Sequence, residues 1–377
     1  MRILPVLIML ALVLGAHYYV FSRLWFMIPH PLGRLIMLCL GVLALLSPIL
    51  GMLIGDYLPQ QLTVAMQRIG FSWFIIFLYL LMCVAVLDIL RLTHLFPIER
   101  FFSGSWVGVI GLASLLLVCF TYGYVHYLNK KKVELSLNIH KDSMRVDSLK
   151  IVAISDLHLG YGIGKKEFES WLPLINDEHP DLVLIVGDLV DSNTHPLFKQ
   201  NFAESVKKIQ AKYGVYAVLG NHEYIGNEAK SALFLLSADI SLLQDSVVLI
   251  ENSFYIIGRD DRSNPERETI EELLDSVDQS KPIILLDHQP VDLEESARNH
   301  IDLQLSGHTH KGQVWPLTWV VNSLFEHAYG YLKKDDTHIY VTSGLGIWGG
   351  KFRIGSQSEY VVIKLTFDGV KPPTSAF

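Results

Sequence analysis

Eight side chains able to bind metal or move protons stand where apolar runs end: Asp156, His158, Asp188, Asn221, His222, His288, His308 and His310. Carboxylate, imidazole and amide oxygen are the donors that hard-to-borderline divalent cations take, and the set is too large for one four- to six-coordinate ion. Two adjacent ions fit the count better. A centre of two ions ~3.5–4 Å apart is the usual apparatus for in-line displacement at phosphorus, where it clamps attacking and leaving oxygens. Each piece alone has a plainer explanation. Asp156-Leu157-His158 arises by chance in many proteins, His308-Thr309-His310 could be two satisfied surface histidines, and Asn221-His222 after Gly220 could be a turn, because Asn tolerates left-handed backbone. His288 alone reads as a hydrogen-bonded core histidine. Their occurrence together, in order, favours metal binding. Residues two apart on a strand share a face, so each Asp-x-His or His-x-His pair can chelate one ion.

The runs that position these residues read as buried strands. Residues 149–154 lead into Ser155-Asp156, 182–186 into Gly187-Asp188, and 215–219 into Gly220-Asn221-His222-Glu223. Amphipathic stretches at 166–177 and 197–211 separate them, which predicts an α/β fold with a mainly parallel sheet segment. Open α/β sheets bind ligands beyond the carboxyl ends of their strands. Further strands are expected at 254–257, 283–286 and 302–305, the last two ending in Asp287-His288 and Gly307-His308, with a charged helix at 266–277. An alternating run at 133–139 predicts a half-exposed strand, and 339–342 and 359–365 complete the sheets without polar ends.

Ahead of this domain the composition changes. Residues 1–133 carry three acidic residues (Asp56, Asp88, Glu99) and nine basic ones, a net +6, whereas 134–377 hold 35 acidic and 22 basic residues, a net −13. Apolar stretches at 3–21, 35–54, 71–90 and 106–128 each approach the ~20 residues that a helix needs to cross a bilayer, so four spans are expected. The domains are therefore expected at 1–132 and 133–377. With an even number of spans the amino terminus and the second domain share a side. Arg2, Arg68, Lys130, Lys131 and Lys132 flank that side, against Arg23, Arg34, Arg91 and Arg100 on the other, which predicts a multi-pass plasma-membrane protein with a cytoplasmic domain. Cys39, Cys83 and Cys119 all fall in expected spans, which rules out a cysteine metal site in the second domain. Its acidity argues against nucleic acid and suits cations.

Asp156-Leu-His158, Gly187-Asp188-(x)2-Asp191, Gly220-Asn221-His222-Glu223, His288 and Gly307-His308-Thr309-His310 resemble the complete ordered motif set of the calcineurin-like metallophosphoesterases, over roughly residues 149–366. The segments Ser306–Gln313 and Ser343-Gly-Leu-Gly346 through Phe352-Arg353 are similar to a membrane-associated subgroup related to UDP-diacylglucosamine pyrophosphatases. The resemblance leaves the membrane portion outside it and implies, for the domain that follows that multi-pass α-helical region, an α/β double β-sandwich flanked by helices and two divalent ions of manganese, iron or zinc. It places Asp156, His158 and His310 on one ion, Asn221, His288 and His308 on the other, and Asp188 between them. His222 would then protonate the leaving oxygen while hydroxide between the ions attacks a phosphodiester, phosphomonoester or pyrophosphate of a small-molecule or lipid substrate. Asp191 is expected to support the others or cap its turn. Lys311 replaces the subgroup's usual glycine and could approach phosphate or close the pocket. Asp287 could orient His288, and Glu223 replaces a frequent aspartate.

Trp315, Trp319, Trp348 and Phe352 lie near the site loops and could form an apolar access path, although aromatic residues are more often core. Two rivals remain: an inert metal-binding membrane scaffold or sensor, and a transporter-coupled enzyme. The few ionisable residues in the spans argue against the second.

Overall fold

The structure, a computed structural model, describes residues 3–94, 104, 106–141 and 146–368. Arg2, Glu99 and Arg100 of the charge count above lie outside the described residues. Two compact units emerge, Met1–Val125 with Gly349–Lys351, and His126–Trp348 with Phe352–Phe377.

In the first unit the helices Ile3–Met27, Pro31–Ile54 and Gln60–Thr93, with Trp106–Leu128 running on into the second, are long and apolar enough to cross a membrane. The first three outlast the apolar stretches seen in the sequence because polar residues at their ends continue the helix, and the fourth coincides with its stretch. Pro48 sits inside the second helix, where Gly70 of the third leaves it room: a methyl group on Gly70 would stand 2.2 Å from Pro48 Cδ. The polar groups are paired, as a low-dielectric setting requires. Asp88 accepts from Tyr19 Oη at 2.6 Å and Arg23 Nε at 2.9 Å, and His17 stacks on Phe77.

The second unit is built on two mixed six-stranded sheets. One has the order β1-β12-β2-β3-β4-β5, with β1 Lys131–Ile139, β2 Ser148–Ile154, β3 Leu182–Val186, β4 Val215–Val218, β5 Ser241–Leu242 and β12 Glu359–Phe367. The other has the order β10-β11-β9-β8-β7-β6, with β6 Ser246–Ile250, β7 Phe254–Gly258, β8 Ile283–Leu286, β9 Leu303–Ser306, β10 Gly330–Lys334 and β11 Thr337–Val341. Strands β2 to β5 run parallel, as do β7, β8, β9 and β11.

Strand alternation sorts the apolar side chains into layers. Ile151, Ala153, Leu182, Leu184 and Val186 face Ile256, Ile284, Leu286, Leu303 and Leu305 in the core between the sheets. Val152, Ile154, Val183 and Ile185 turn outward to Phe168, Trp171, Ile175 and Phe234 of the first helical layer. Tyr255, Ile257, Ile283 and Leu285 pack on Ile270, Leu273 and Leu274 of the second. The result is the expected double β-sandwich flanked by helices.

The connecting helices are shorter than the periodicity predicts. Residues 166–177 divide into Lys165–Glu169 and Leu172–Asn176, and 197–211 into His195–Lys199 and Ala203–Val206. Pro173 and Pro196 explain the starts, because a proline's missing N–H fits only the first turn of a helix. The charged stretch 266–277 forms only Ile270–Leu274, opened by a capping box of Thr269 and Glu272. The lysine cluster after the last span is engaged. Lys130 Nζ lies 3.5 Å from the Tyr127 ring centre, and Lys132 pairs with Glu134 and Glu178, both at 2.7 Å.

Candidate metal centre

Parallel strands deliver their carboxyl ends to one edge of the sandwich, and the eight candidate residues collect there. Asp156 and His158 follow β2, Asp188 follows β3, Asn221 and His222 follow β4, His288 follows β8, and His308 and His310 follow β9. The turns that direct these side chains inward are tight. Asp156, His158, Asp188, His308 and His310 all adopt left-handed backbone, with φ between 48° and 67°. For non-glycine residues this costs on the order of 1 kcal/mol or more each, and such outliers concentrate at functional sites. Gly187, at φ 78°, lies so close to His288 that a methyl group would come within 2.4 Å of Nδ1. Asn221 and His222 open a helix, Asn221–Gly226, rather than a simple turn.

Two groups hold most of the expected ligands, and in each of them one atom per residue lies within 4.8 Å of the others: Asp156, His158 and His310; and Asp188, His288 and His308. In the first, His158 Nε2 stands 3.1 Å from His310 Nε2, which is 3.4 Å from Asp156 Oδ1. In the second, His288 Nε2 is 3.2 Å from Asp188 Oδ2, and His308 Nδ1 is 2.8 Å from Asn221 Oδ1. Donors on neighbouring corners of an octahedron with ~2.1 Å bonds are ~3.0 Å apart. The donor set therefore fits divalent cations.

Asp188 reaches both groups through one oxygen. Its Oδ2 lies 3.2 Å from His288 Nε2 and 3.8 Å from His158 Nε2, while Oδ1 accepts the His222 backbone N–H at 2.9 Å. The residue is fully buried, and His288 and the other histidines hold its carboxyl well below the usual range despite that burial. His288 Nδ1 donates to Val186 O at 2.7 Å, which turns Nε2 towards the Asp188 carboxylate; Nε2 has no hydrogen-bond partner. Only a cation, a proton or a metal, satisfies two acceptors so placed. Burial pushes His158 down to about 3 and lowers His310, so both are neutral imidazoles, the state that ligates metal.

His222 differs from these. With Asp191 it forms a third close group around His158. Its side chain keeps 13% of its surface, and Nδ1 faces Asp191 Oδ1 at 3.2 Å. Burial lowers its pKa, but the Asp191 hydrogen bond and the charge on Asp188 prevail, and the net shift is upward. Asp191 also accepts the Ser192 N–H at 2.8 Å, so it both orients His222 and caps its own turn.

Two expectations change. Asp287 faces Arg267 Nη1 at 3.2 Å and Arg259 Nη1 at 3.5 Å, away from His288, whose orientation comes from Val186. Lys311 Nζ lies 4.2 Å from the Tyr329 ring centre, held by an aromatic face. The end of β11 is also more than sheet completion, because Leu345 N donates to Ser155 O beside Asp156.

Several supporting residues act through partners that the sequence does not reveal, although Glu223 and Arg353 stand in the motifs quoted above. Glu223 is buried and accepts from the N–H groups of Val190 and Gly220, both at 2.8 Å, and of Asp188 at 3.2 Å, tying the β3 and β4 turns together. Arg353 is fully buried and donates to His310 O at 2.8 Å, Ser343 O at 2.7 Å and Gly346 O at 3.0 Å. Glu359 receives the hydroxyls of Tyr329 and Tyr340 under the same loops.

The family profile described as calcineurin-like phosphoesterase matches residues 149–312. An uncharacterized metallophosphoesterase of Helicobacter pylori (strain J99) is 33% identical, over 68% of this chain and 70% of that one. A transmembrane protein with metallophosphoesterase domain from Danio rerio is 32% identical over 71% of this chain, which spans 64% of that relative's length. Among solved structures, a 5'-nucleotidase precursor from Thermus thermophilus aligns with a TM-score of 0.36 at 16% identity, over 58% of this chain and 54% of that one. With the motif residues gathered at one sheet edge and a relative this similar over most of both lengths, the chain belongs to the calcineurin-like metallophosphoesterases.

Proposed function

We propose that the chain is a membrane-bound hydrolase of phosphate esters or pyrophosphates that works with two divalent cations, manganese, iron or zinc. The observation that carries this reading is the pair of donor groups that meet at Asp188 Oδ2, with their atoms at coordination spacing. Asp156, His158 and His310 would hold one ion, Asn221, His288 and His308 the other, and Asp188 would be shared by both. When bound, such ions would lower the pKa of water far enough to make hydroxide available near neutral pH and would neutralise charge gathering on the phosphoryl oxygens.

The chain's own residues do the rest. His222, partly open to solvent and made more basic by its contact with Asp191 despite burial, gives its proton to the departing oxygen. The Asp191 contact fixes Nδ1, so the proton leaves from Nε2. No covalent enzyme intermediate is required. The four helices of spanning length favour a lipid-linked substrate, and the lysines after the last span favour a cytoplasmic domain in the plasma membrane.

The test is purified full-length protein with Mn²⁺ and a panel of phosphodiesters, phosphomonoesters and pyrophosphates, some presented in bilayers. Hydrolysis that disappears with chelator is expected. Stoichiometric metal binding without turnover of any member would favour the scaffold or sensor.

A further inference from the structure

Two aromatic side chains lie against different members of the candidate centre. The Trp348 ring centre is 5.8 Å from that of His222 with the planes at 60°, and the Phe325 ring centre is 5.9 Å from that of His308 at 69°. His222 is the proposed proton donor, whereas His308 is a proposed ligand. Trp348 keeps 44% of its surface exposed, and Phe325 is half-buried. A single exposed aromatic residue is ordinary on a protein surface. Trp348 is set apart by its neighbour and by how firmly it is held.

Leu345 and Ile347 are buried in the core under the first helical layer, and Leu345 N donates to Ser155 O at 3.0 Å. Gly346 O accepts from Arg353 Nη2 at 3.0 Å, and a methyl group on Gly346 would stand 2.5 Å from Leu157 O. Trp348 therefore follows directly on a segment locked to the turn that carries Asp156 and His158. The His222 ring is enclosed on other sides: His158 packs edge-on against it with ring centres 4.5 Å apart, and Asp191 Oδ1 faces Nδ1 at 3.2 Å. An oxygen that accepts from Nε2 at ~2.8 Å lies ~4 Å from the centre of the imidazole. The atoms bonded to that oxygen come within reach of the indole.

We propose that Trp348 is the platform for the group whose oxygen faces His222, and that it selects phosphoesters in which this departing alcohol carries an aromatic or apolar body close to the oxygen. The inference rests on the reading of His222 as proton donor. Hydroxide forms the new bond to phosphorus, the bond to the ester oxygen breaks, and that oxygen leaves with the His222 proton as an alcohol lying on the indole. Aromatic contact and buried apolar area together should favour such an alcohol over ethanol by about tenfold.

Ethyl phenethyl phosphate, given to Mn²⁺-loaded full-length protein, tests this within one molecule. Its two alcohols are primary alkanols of similar basicity, so the one released reports which end lay beside His222. Phenethyl alcohol should exceed ethanol about tenfold in the parent, fall to near parity in Trp348→Ala and recover most of its lead in Trp348→Phe. Phe325→Leu should leave the ratio unchanged. Because both alcohols come from one reaction, lost metal or a damaged fold lowers them alike. Calorimetry with phenethylphosphonate and ethylphosphonate, which carry no ester bond to cleave, should show the same preference and the same dependence on Trp348. Equal release of the two alcohols, equal binding of the two phosphonates, or a preference that survives Trp348→Ala overturns the platform and leaves the hydrolase standing. A phosphonate preference that Trp348→Ala abolishes, with no ester hydrolysed, would keep the platform and remove the hydrolase.

Discussion

The first sheet brings Asp156, Asp188, Asn221, His158 and His222 to the centre, so every carboxylate among the candidate ligands comes from it. The second sheet brings His288, His308 and His310, imidazoles only. The close approaches cross between the two: Asp156 to His310 at 3.4 Å, Asp188 to His288 at 3.2 Å and Asn221 to His308 at 2.8 Å. One sheet thus sets the negative charge that attracts a cation, and the other closes the coordination without adding charge. Each proposed ion would bridge the edge of the sandwich, so metal binding and the joining of the sheets become one event.

Removing the shared charge should have the largest effect. Asp188→Asn keeps the shape but takes away the carboxylate that both groups use. Metal analysis should show both ions weakened and hydrolysis down by more than the ~100-fold that disturbing a residue behind a ligand can cost. Retention of two ions with unchanged turnover would remove the bridging role. His222→Ala leaves both halves of the centre in place, so metal content should persist. Turnover of esters with poor leaving groups should fall ~10²–10⁴-fold, and that of nitrophenyl esters much less. Equal losses on both substrates would argue against proton donation.

Effects on stability come next. Arg353 supports the second-sheet half, through His310 O, and joins it to the loops after β11. Arg353→Met should cost about 3 kcal/mol in denaturant unfolding, because it strands buried carbonyls and leaves Glu359 without its neighbouring cation. Arg353→Lys should recover only part, since an ammonium cannot reproduce the planar fork. Removing metal should act on both sheets: at a free ion concentration 100 times Kd, ~2.7 kcal/mol per site is lost on chelation. Hydrogen exchange should then rise at the ends of β2 and β3 and of β8 and β9 together. A rise confined to one sheet would contradict the bridging picture.

Much of this gathering was legible because each candidate residue follows a short apolar run within five residues. Val183 to Val186 and Ile283 to Leu286 are fully apolar, and a polar residue after such a run can only lie at a strand end. The missing parts are those fixed by distant partners. Asp287 precedes His288 and looked like its support, but Arg259 and Arg267, brought in by the β7 loop, claim its carboxylate. Arg353 shows no spacing rule that ties it to His310. The strands β5, β6 and β10 were missed because they are short or half-exposed, and neighbours rather than their own pattern hold them in the sheets.

A two-ion centre of the proposed kind should work only when complete. Mn²⁺ titrated into metal-free full-length protein, with bound metal and phosphoester hydrolysis read from the same samples, tests it most directly. Turnover should stay low through the first equivalent, rise with the second and end there. Activity complete at one equivalent, or two equivalents bound without turnover, would contradict it.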